Sequence, residues 1–582
     1  MNELQNYITL ADLALAVFSI WILWRRFSPR KSFTDNPLVF FILIFISMLI
    51  LRWPLISWPH EINIDESQML AQGMRYLSHP IPWRDVDGTT GGPLNSMILS
   101  LPLSLGSPST WETSRIMLWV LNCLTMVFLY FAVRCFGSPA ESQFVLLPAI
   151  YFYAFSFEPH YAFYSSETLP VLMLSAGLCL LAQEWRATRP SVTRWFFVGL
   201  TLGAVPLAKL QASPLALFLA GVGFMQLLLL RRKDPGTPRS GLMPIAALIL
   251  GGLLIPGLLL GIVTAKGAFG DFWKSYILAS RSYAEQTSWG FRIHSMKNIL
   301  LMSPHFTVYL AINVAAALLW LFARQRGKKR ASAEFFWPLL IIAADLILSV
   351  LCILAAGKGF PHYLLLLVPP LTLLFALLFF AGKQVLSVPD NPPTTASILK
   401  FWPLIFSALT LSLLCMQSRD YTRQCNTFLA GTELGNKSLV AQQVAKAIRP
   451  GDTLSVWGWM PMYHVETGAL PATRDAIGHY IISPGPLQEY FQKRYLTDLT
   501  KSRPAIFIDA VADSTFCWTW TDDNIHESFP ALTAFINENY SLWVSIQLKK
   551  KTLIASPVRI YVLKERMHEL HLVPTRLETD EE

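Results

Sequence analysis

Asp65 and Glu66 stand side by side in His60-Glu-Ile-Asn-Ile-Asp-Glu-Ser67, a few residues beyond an apolar run long enough to cross a membrane. A carboxylate at that depth is costly unless it faces water, a cation or a substrate. One of the pair suits removal of a proton from a hydroxyl nucleophile; its neighbour suits orientation of an acceptor or binding of a divalent cation. The plainer alternative is a solvated acidic pair that caps the next helix, since Asp is a good N-cap. The same loop continues through Trp83-Arg-Asp-Val-Asp-Gly-Thr-Thr-Gly-Gly-Pro-Leu-Asn95, which holds Arg84 and Asp85. It leads into the run 96–105, too short to span and better suited to lie at the interface.

Other polar residues interrupt apolar surroundings further on. Glu158-Pro-His-Tyr-Ala-Phe-Tyr-Ser-Ser-Glu-Thr168 is a short loop with two carboxylates, Glu158 and Glu167. Lys209 and Lys358 are isolated basic residues at helix ends, and Gly359-Phe-Pro-His-Tyr363 places His362 and Tyr363 at the start of a late helix. A phosphate near a bilayer needs partners such as Lys209 and Lys358, because a buried anion must be paired. Snorkelling of long basic side chains to the interface is the competing account. Arg281 and Arg292 are further candidates; His160, His294 and His305 read as interfacial or packing residues.

The elements that must position these residues are membrane helices. Of 582 residues, 53% are apolar and 15% charged, with a clearly positive mean hydropathy; a soluble chain carries nearer about 25% charge. Apolar runs at 8–24, 37–56, 115–135, 144–157, 168–184, 195–209, 213–230, 242–264, 304–322, 337–356, 362–381 and 401–416 predict about twelve spans. The net charge of +9 comes from short clusters between these runs: Arg25, Arg26, Arg30 and Lys31; Arg186, Arg189 and Arg194; Arg231, Arg232, Lys233 and Arg239; Arg324, Arg326, Lys328, Lys329 and Arg330. That is a topology signal and argues against nucleic acid as partner. With these loops cytoplasmic, the segments 57–114, 158–167, 265–303 and 357–361 and everything after about 417 lie outside.

The C-terminal stretch has a different texture. Strands are expected from Asp452 to Trp457, Pro504 to Asp509 and Arg559 to Leu563, with helices over 485–500 and 529–540. The fold expected is mainly α: a transmembrane bundle over 1–417, with the first outer loop 57–114, followed by a small extracytoplasmic α/β domain over 418–582. Seven cysteines show no Cys-x-x-Cys pair, which argues against zinc or redox chemistry. Cys425 and Cys517 lie in the polar part and could pair in an oxidising compartment.

The acidic pair, the Arg84-Asp85-Val86 element and the Pro93-Leu94 that opens an apolar helix resemble the GT-C glycosyltransferases. The resemblance is to the branch containing protein O-mannosyltransferases and the lipid A aminoarabinose transferase. Ser114-Arg115, the loop 158–168, Pro361-His362-Tyr363 and the Val456-Trp457-Gly458 strand follow the same pattern in order. One departure is Gly91-Gly92-Pro93, where that branch usually has Lys-Pro-Pro. The resemblance implies an inverting transfer of a monosaccharide, on the outer face of the plasma (inner) membrane, from a polyprenyl phosphate to a lipid, glycan or protein acceptor. It implies Asp65 as general base and Glu66 with Glu167 as holders of acceptor or cation. Lys209, Lys358 and His362 would stabilise the leaving phosphate, while Arg84, Asp85, Glu158 and Tyr363 belong to the substrate site. A cofactor, if any, is a divalent cation, magnesium or manganese, with Asp65, Glu66 and Glu167 as candidate ligands.

Two rivals remain open on the residues alone. One is transfer of whole oligosaccharides from a polyprenyl diphosphate. The other is transport of a lipid-linked saccharide, for which repeated halves and midplane charges are expected but no repeat is evident.

Overall fold

Apolar runs bounded by capping residues set the helices. Asn36 accepts the Leu38 N–H at 2.9 Å ahead of Pro37, and Ser138 with Glu141 forms a capping box ahead of Pro139. In the computed structural model the main helices are, in chain order, α1 Pro37–Ile56, α2 Ile64–Tyr76, α3 Pro93–Ser104, α4 Trp111–Arg134, α5 Pro139–Phe155, α6 Thr168–Arg186, α7 Val192–Ala208, α8 Ser213–Lys233, α9 Arg239–Ala265, α10 Pro304–Arg326, α11 Ala333–Ala355, α12 Val368–Leu386, α13 Gln488–Ser502 and α14 Pro530–Asn539. Strands are β1 Thr453–Trp457, β2 Leu470–Pro471, β3 Ile506–Asp509, β4 Tyr540–Lys550, β5 Leu553–Ile554, β6 Val558–Leu563 and β7 Thr575–Thr579. The structure describes residues 36–233, 239–285, 287–326, 333–387, 401–417, 437–512, 515–518, 521–550, 553–554 and 557–579, with isolated positions near the N-terminus and at Tyr421 and Gln424.

Eight helices among the described residues are long and apolar enough to cross a membrane, and Val192–Ala208 and Phe401–Gln417 are shorter apolar helices. The protein is a multi-pass membrane protein. The expected run 8–24 falls largely outside the described residues, and so does Cys425 with its expected pairing. Most of the expected run 144–157 lies in α5, which ends at Phe155 and borrows five residues (139–143) on its N-terminal side.

Two units are formed, each from separated stretches. The first comprises Met1–Trp58, Arg115–Leu259 and Tyr283–Thr432; the second comprises Pro59–Ser114, Leu260–Ser282 and Glu433–Glu582. Within the first, α7 and α9 meet backbone to backbone. A Cβ on Gly199 would fall 2.1 Å from the Leu248 carbonyl oxygen, and one on Gly203 2.1 Å from that of Gly252. Small residues permit this approach where no water drives association. Two buried arginines tie helices to backbone carbonyls elsewhere in the unit: Arg52 of α1 donates to the Tyr161 carbonyl at 2.6 Å, and Arg115 of α4 to that of Leu55, near the end of α1, at 3.0 Å.

In the second unit α2 packs on α3 at Gly73, where an added Cβ would stand 3.2 Å from both Leu99 Cβ and the Ser96 carbonyl oxygen. The sheet runs β2-β1-β3-β6-β4-β5, with β7 beside β4. Strands β2, β1 and β3 are mutually parallel, and β6 is antiparallel to β3. One face is covered by Val440 and Val444, the other by Phe491, Tyr495 and Leu499 of α13 with Leu532 and Ile536 of α14. The three expected strands and two expected helices of this segment are present within a few residues; β2, β4, β5 and β7 were not anticipated.

Candidate functional site

In the first unit the polar residues singled out from the sequence collect at the ends of apolar helices. Glu167 precedes α6, Lys209 follows α7, and His362 and Tyr363 lie in the 3-10 turn Pro361–Leu367 that leads into α12. All four are buried. Lys209 Nζ lies 2.7 Å from Glu167 Oε1 and donates to Ser166 Oγ at 2.5 Å. Ser166 in turn donates to Glu167 Oε2 at 3.2 Å, and His362 Nε2 is 3.7 Å from the same oxygen. The ammonium also sits 5.1 Å from the centre of the Tyr363 ring. Burial works to raise the Glu167 carboxyl, but Lys209 and His362 outweigh it and hold it below the usual carboxylate range.

Around this cluster the other candidate residues have partners of their own. Glu158 is engaged elsewhere: it accepts the His305 backbone N–H at 3.1 Å and pairs with His305 Nδ1 at 2.8 Å, so His305 fastens the start of α10. His160 has its ring 6.3 Å from that of His362; burial and that neighbouring imidazole push it down to about 4. Lys358 stands 4.5 Å from the centre of the Tyr283 ring, while Arg292 is spent on carbonyls, donating to Ala355 at 2.7 Å.

In the second unit the carboxylate pair opens α2. The Asn63 side chain caps the helix by accepting the Asp65 N–H at 3.0 Å. Asp65 is partly exposed and Glu66 fully buried, with the Ser114 hydroxyl donating to Glu66 Oε1 at 2.9 Å. Two carboxylates missed from the sequence join them electrostatically. Burial pushes Glu61 up to about 7, reinforced by Glu66, Glu466 and Asp65. Burial likewise raises Glu466, although Ser438 donates its N–H to it at 3.1 Å. Nothing in the sequence marks Glu466, about 400 residues from the pair.

Arg84 and Asp85 bind each other through two hydrogen bonds of 2.8 Å each. Burial works to raise Asp85, but Arg84 and the Ile81 N–H hold it below the usual range. The buried member of this loop is Asp87, which the sequence reading passed over. Its carboxylate is 2.7 Å from Arg494 Nη1, and Arg494 also pairs with buried Asp475 and donates to Ser275 at 2.7 Å. The loop backbone is shaped for this: Trp83 and Thr89 are non-glycine residues at φ 60° and 54°.

A group of three side chains able to hold a metal ion occurs at Asp509, His526 and Glu527, whose ligand atoms lie within 4.8 Å of one another. Arg559 already occupies it, with Nη2 2.6 Å from Asp509 Oδ2 and 2.7 Å from Glu527 Oε2. A fixed guanidinium there neutralises the carboxylates and disfavours a cation.

No protein-family model matches the chain, and no curated protein matches it. Among solved structures, the fold is similar to ArnT from Cupriavidus metallidurans bound to undecaprenyl phosphate, with a TM-score of 0.55 at 13% identity over 92% of this chain and 99% of that one. The same protein in the apo state gives 0.53 at 12% identity, over 94% and 100% of the two chains. The S. cerevisiae Pmt1-Pmt2 complex bound to the sugar donor covers 43% of this chain and 37% of its own at 15% identity; its TM-score of 0.32 carries no argument. At these identities the likeness is one of fold: the chain has an ArnT-like fold.

Proposed function

We propose that the protein is a glycosyltransferase that moves a monosaccharide from a polyprenyl-phosphate donor to an acceptor hydroxyl or amine on the outer side of the membrane. The observation that carries this reading is the buried cluster of Lys209, Glu167 and His362 at helix ends, in a bundle with an ArnT-like fold. Lys209 is buried, and Glu167 is its counter-ion. A lipid phosphate arriving at this cluster meets a cation already in place and an imidazole beside it. As the bond from anomeric carbon to phosphate oxygen breaks, the electron pair stays on the phosphate, where Lys209 and His362 stabilise the developing charge. The phosphate leaves as a stable anion, so no strong general acid is required. Attack from the opposite face inverts the anomeric centre.

Asp65 is the proposed base: it is partly exposed at the start of α2, whereas Glu66 is buried and bound by Ser114. Glu66 holds Ser114 and the start of α4, which suits a positioning role. Glu61, Asp65, Glu66 and Glu466 together could attract a magnesium or manganese ion or an amine-bearing acceptor. The lysine- and arginine-rich loops, at the helix ends opposite to Glu167, Lys209 and His362, support the outer placement.

The test is sugar transfer by the purified protein from a panel of synthetic polyprenyl-phosphate monosaccharides, with diphosphate-linked oligosaccharides in parallel. Release of polyprenyl phosphate, reduced at least ~100-fold in Asp65→Asn with donor binding kept, is the expected result. Turnover of the diphosphate lipids alone would replace the donor assignment, and full activity of Asp65→Asn would remove the base.

A further inference from the structure

The C-terminal sheet reverses its strand order at β1, at an edge lined by aromatic side chains. Strand β1 lies between β2 and β3, all three parallel, so the chain leaves β1 first to one side and then to the other. In open α/β sheets such a reversal opens a cleft at the carboxyl ends of the strands, and ligands bind there. The segments that follow β1, β2 and β3 converge at that edge. Gly458, at φ 126°, lies so close to Ala510 that a Cβ would stand 3.3 Å from its carbonyl. The Gly478 N–H donates to the Gly458 carbonyl at 2.7 Å, and the Trp457 indole N–H to that of Asn524 at 2.9 Å.

Aromatic rings line this edge. Trp459, after β1, has its ring 5.2 Å from His479, after β2; 5.3 Å from Phe516 and 6.3 Å from Trp518, both after β3. Phe516 is 45% exposed. Between Phe516 and Trp518 the backbone passes through φ 79° at Cys517, a conformation a non-glycine residue rarely adopts and one that clusters at ligand clamps. The Trp459 indole N–H is shielded from solvent and meets no acceptor among the described residues. A buried donor left in that state is costly.

We propose that this switch-point edge is a saccharide-binding subsite that holds a pyranose ring of the acceptor. The proposal rests on the glycosyltransferase reading for the word acceptor, and names the acceptor's chemical class. The chemistry of the lining favours a neutral sugar. Ring faces carry negative charge density, which suits the weakly positive C–H face of a pyranose. None of Trp459, Phe516 and Trp518 carries a charge, so a phosphate has no partner among them. An indole N–H and an imidazole at the edge supply hydrogen-bonding groups for ring hydroxyls, which an acyl chain would leave unused.

The experiment uses the full chain in phospholipid nanodiscs, because alkyl glycoside detergents would themselves compete. Methyl glycosides of glucose, galactose, mannose and N-acetylglucosamine are titrated without donor, read by tryptophan fluorescence and saturation-transfer NMR. At least one glycoside is expected to bind, Trp518→Ala to weaken it about tenfold, and Trp518→Phe to restore most of the affinity. No binding by any glycoside, or binding unchanged in Trp518→Ala, overturns the subsite. Displacement of the signal by short-chain phosphatidylcholine but by no sugar overturns it in favour of lipid. Donor turnover with no saccharide binding sinks the subsite and leaves the glycosyltransferase reading intact. Binding with no turnover of any donor leaves a sugar site and overturns its acceptor role.

Discussion

Glu167 shows how much one carboxylate can carry in a bundle of apolar helices. It neutralises Lys209, receives Ser166 and faces His362. Glu167→Gln therefore leaves a buried ammonium without its counter-ion and is expected to lower stability by about 3–5 kcal/mol. Thermal unfolding of the purified protein measures this, and Glu167→Gln with Lys209→Met should recover part of the loss. Glu61 gives a prediction of opposite kind. Its carboxyl is raised to about 7 in the folded state against an ordinary 4.5, so its contribution is fully present below the ordinary value and is lost as pH rises towards the raised one. Glu61→Gln should thus gain on the parent across that window, on the order of 1–2 kcal/mol, and a shrinking difference with rising pH would remove the assignment. At this scale the sequence made Asp65, Glu66 and Lys209 visible, because a charge beside an apolar run is conspicuous, and Glu167 and His362 visible through the family resemblance. It hid Asp87, Glu466 and Arg494, which sit in ordinarily polar segments and become unusual only through burial.

Helices α7 and α9 are positioned by what they lack. Gly199 and Gly203 face Leu248 and Gly252 at distances no side chain can enter. Gly203→Leu should force the helices apart and cost about 3 kcal/mol or more, read as a lower unfolding temperature. Because Lys209 directly follows α7, the same variant should also weaken donor binding. Helix existence was legible for the long apolar runs, since apolar length and capping residues such as Asn36 and Ser138 are local signals, but not for Trp289–Leu301 or Leu439–Ala447. Strands β4 and β7 were not, because pairing is decided by a partner distant in sequence: Val544 pairs with Thr575 on one side and Ile560 on the other.

On the scale of the whole chain, the second unit gathers Pro59–Ser114, Leu260–Ser282 and Glu433–Glu582. Arg494 reaches all three stretches, through Asp87, Ser275 and Asp475. Arg494→Met leaves two buried carboxylates without a cation and should destabilise the protein by about 3–5 kcal/mol, with earlier proteolysis in these stretches. Adding Asp87→Asn and Asp475→Asn should restore much of the resistance; no restoration would mean that Arg494 acts by packing alone. By itself the sequence determined the solvent, the apolar spans, the alternation of basic loops and the α/β character of the C-terminal stretch. Each of these depends on composition and local periodicity, which are properties of neighbours along the chain. Only the tertiary structure decided which charges pair, that Asp87 rather than Arg84 or Asp85 is the buried anchor of its loop, and that aromatic residues after β1 and β3 come together at one edge of the sheet. Those outcomes turn on distances and desolvation between residues up to several hundred positions apart, where the sequence carries no local record of its partners.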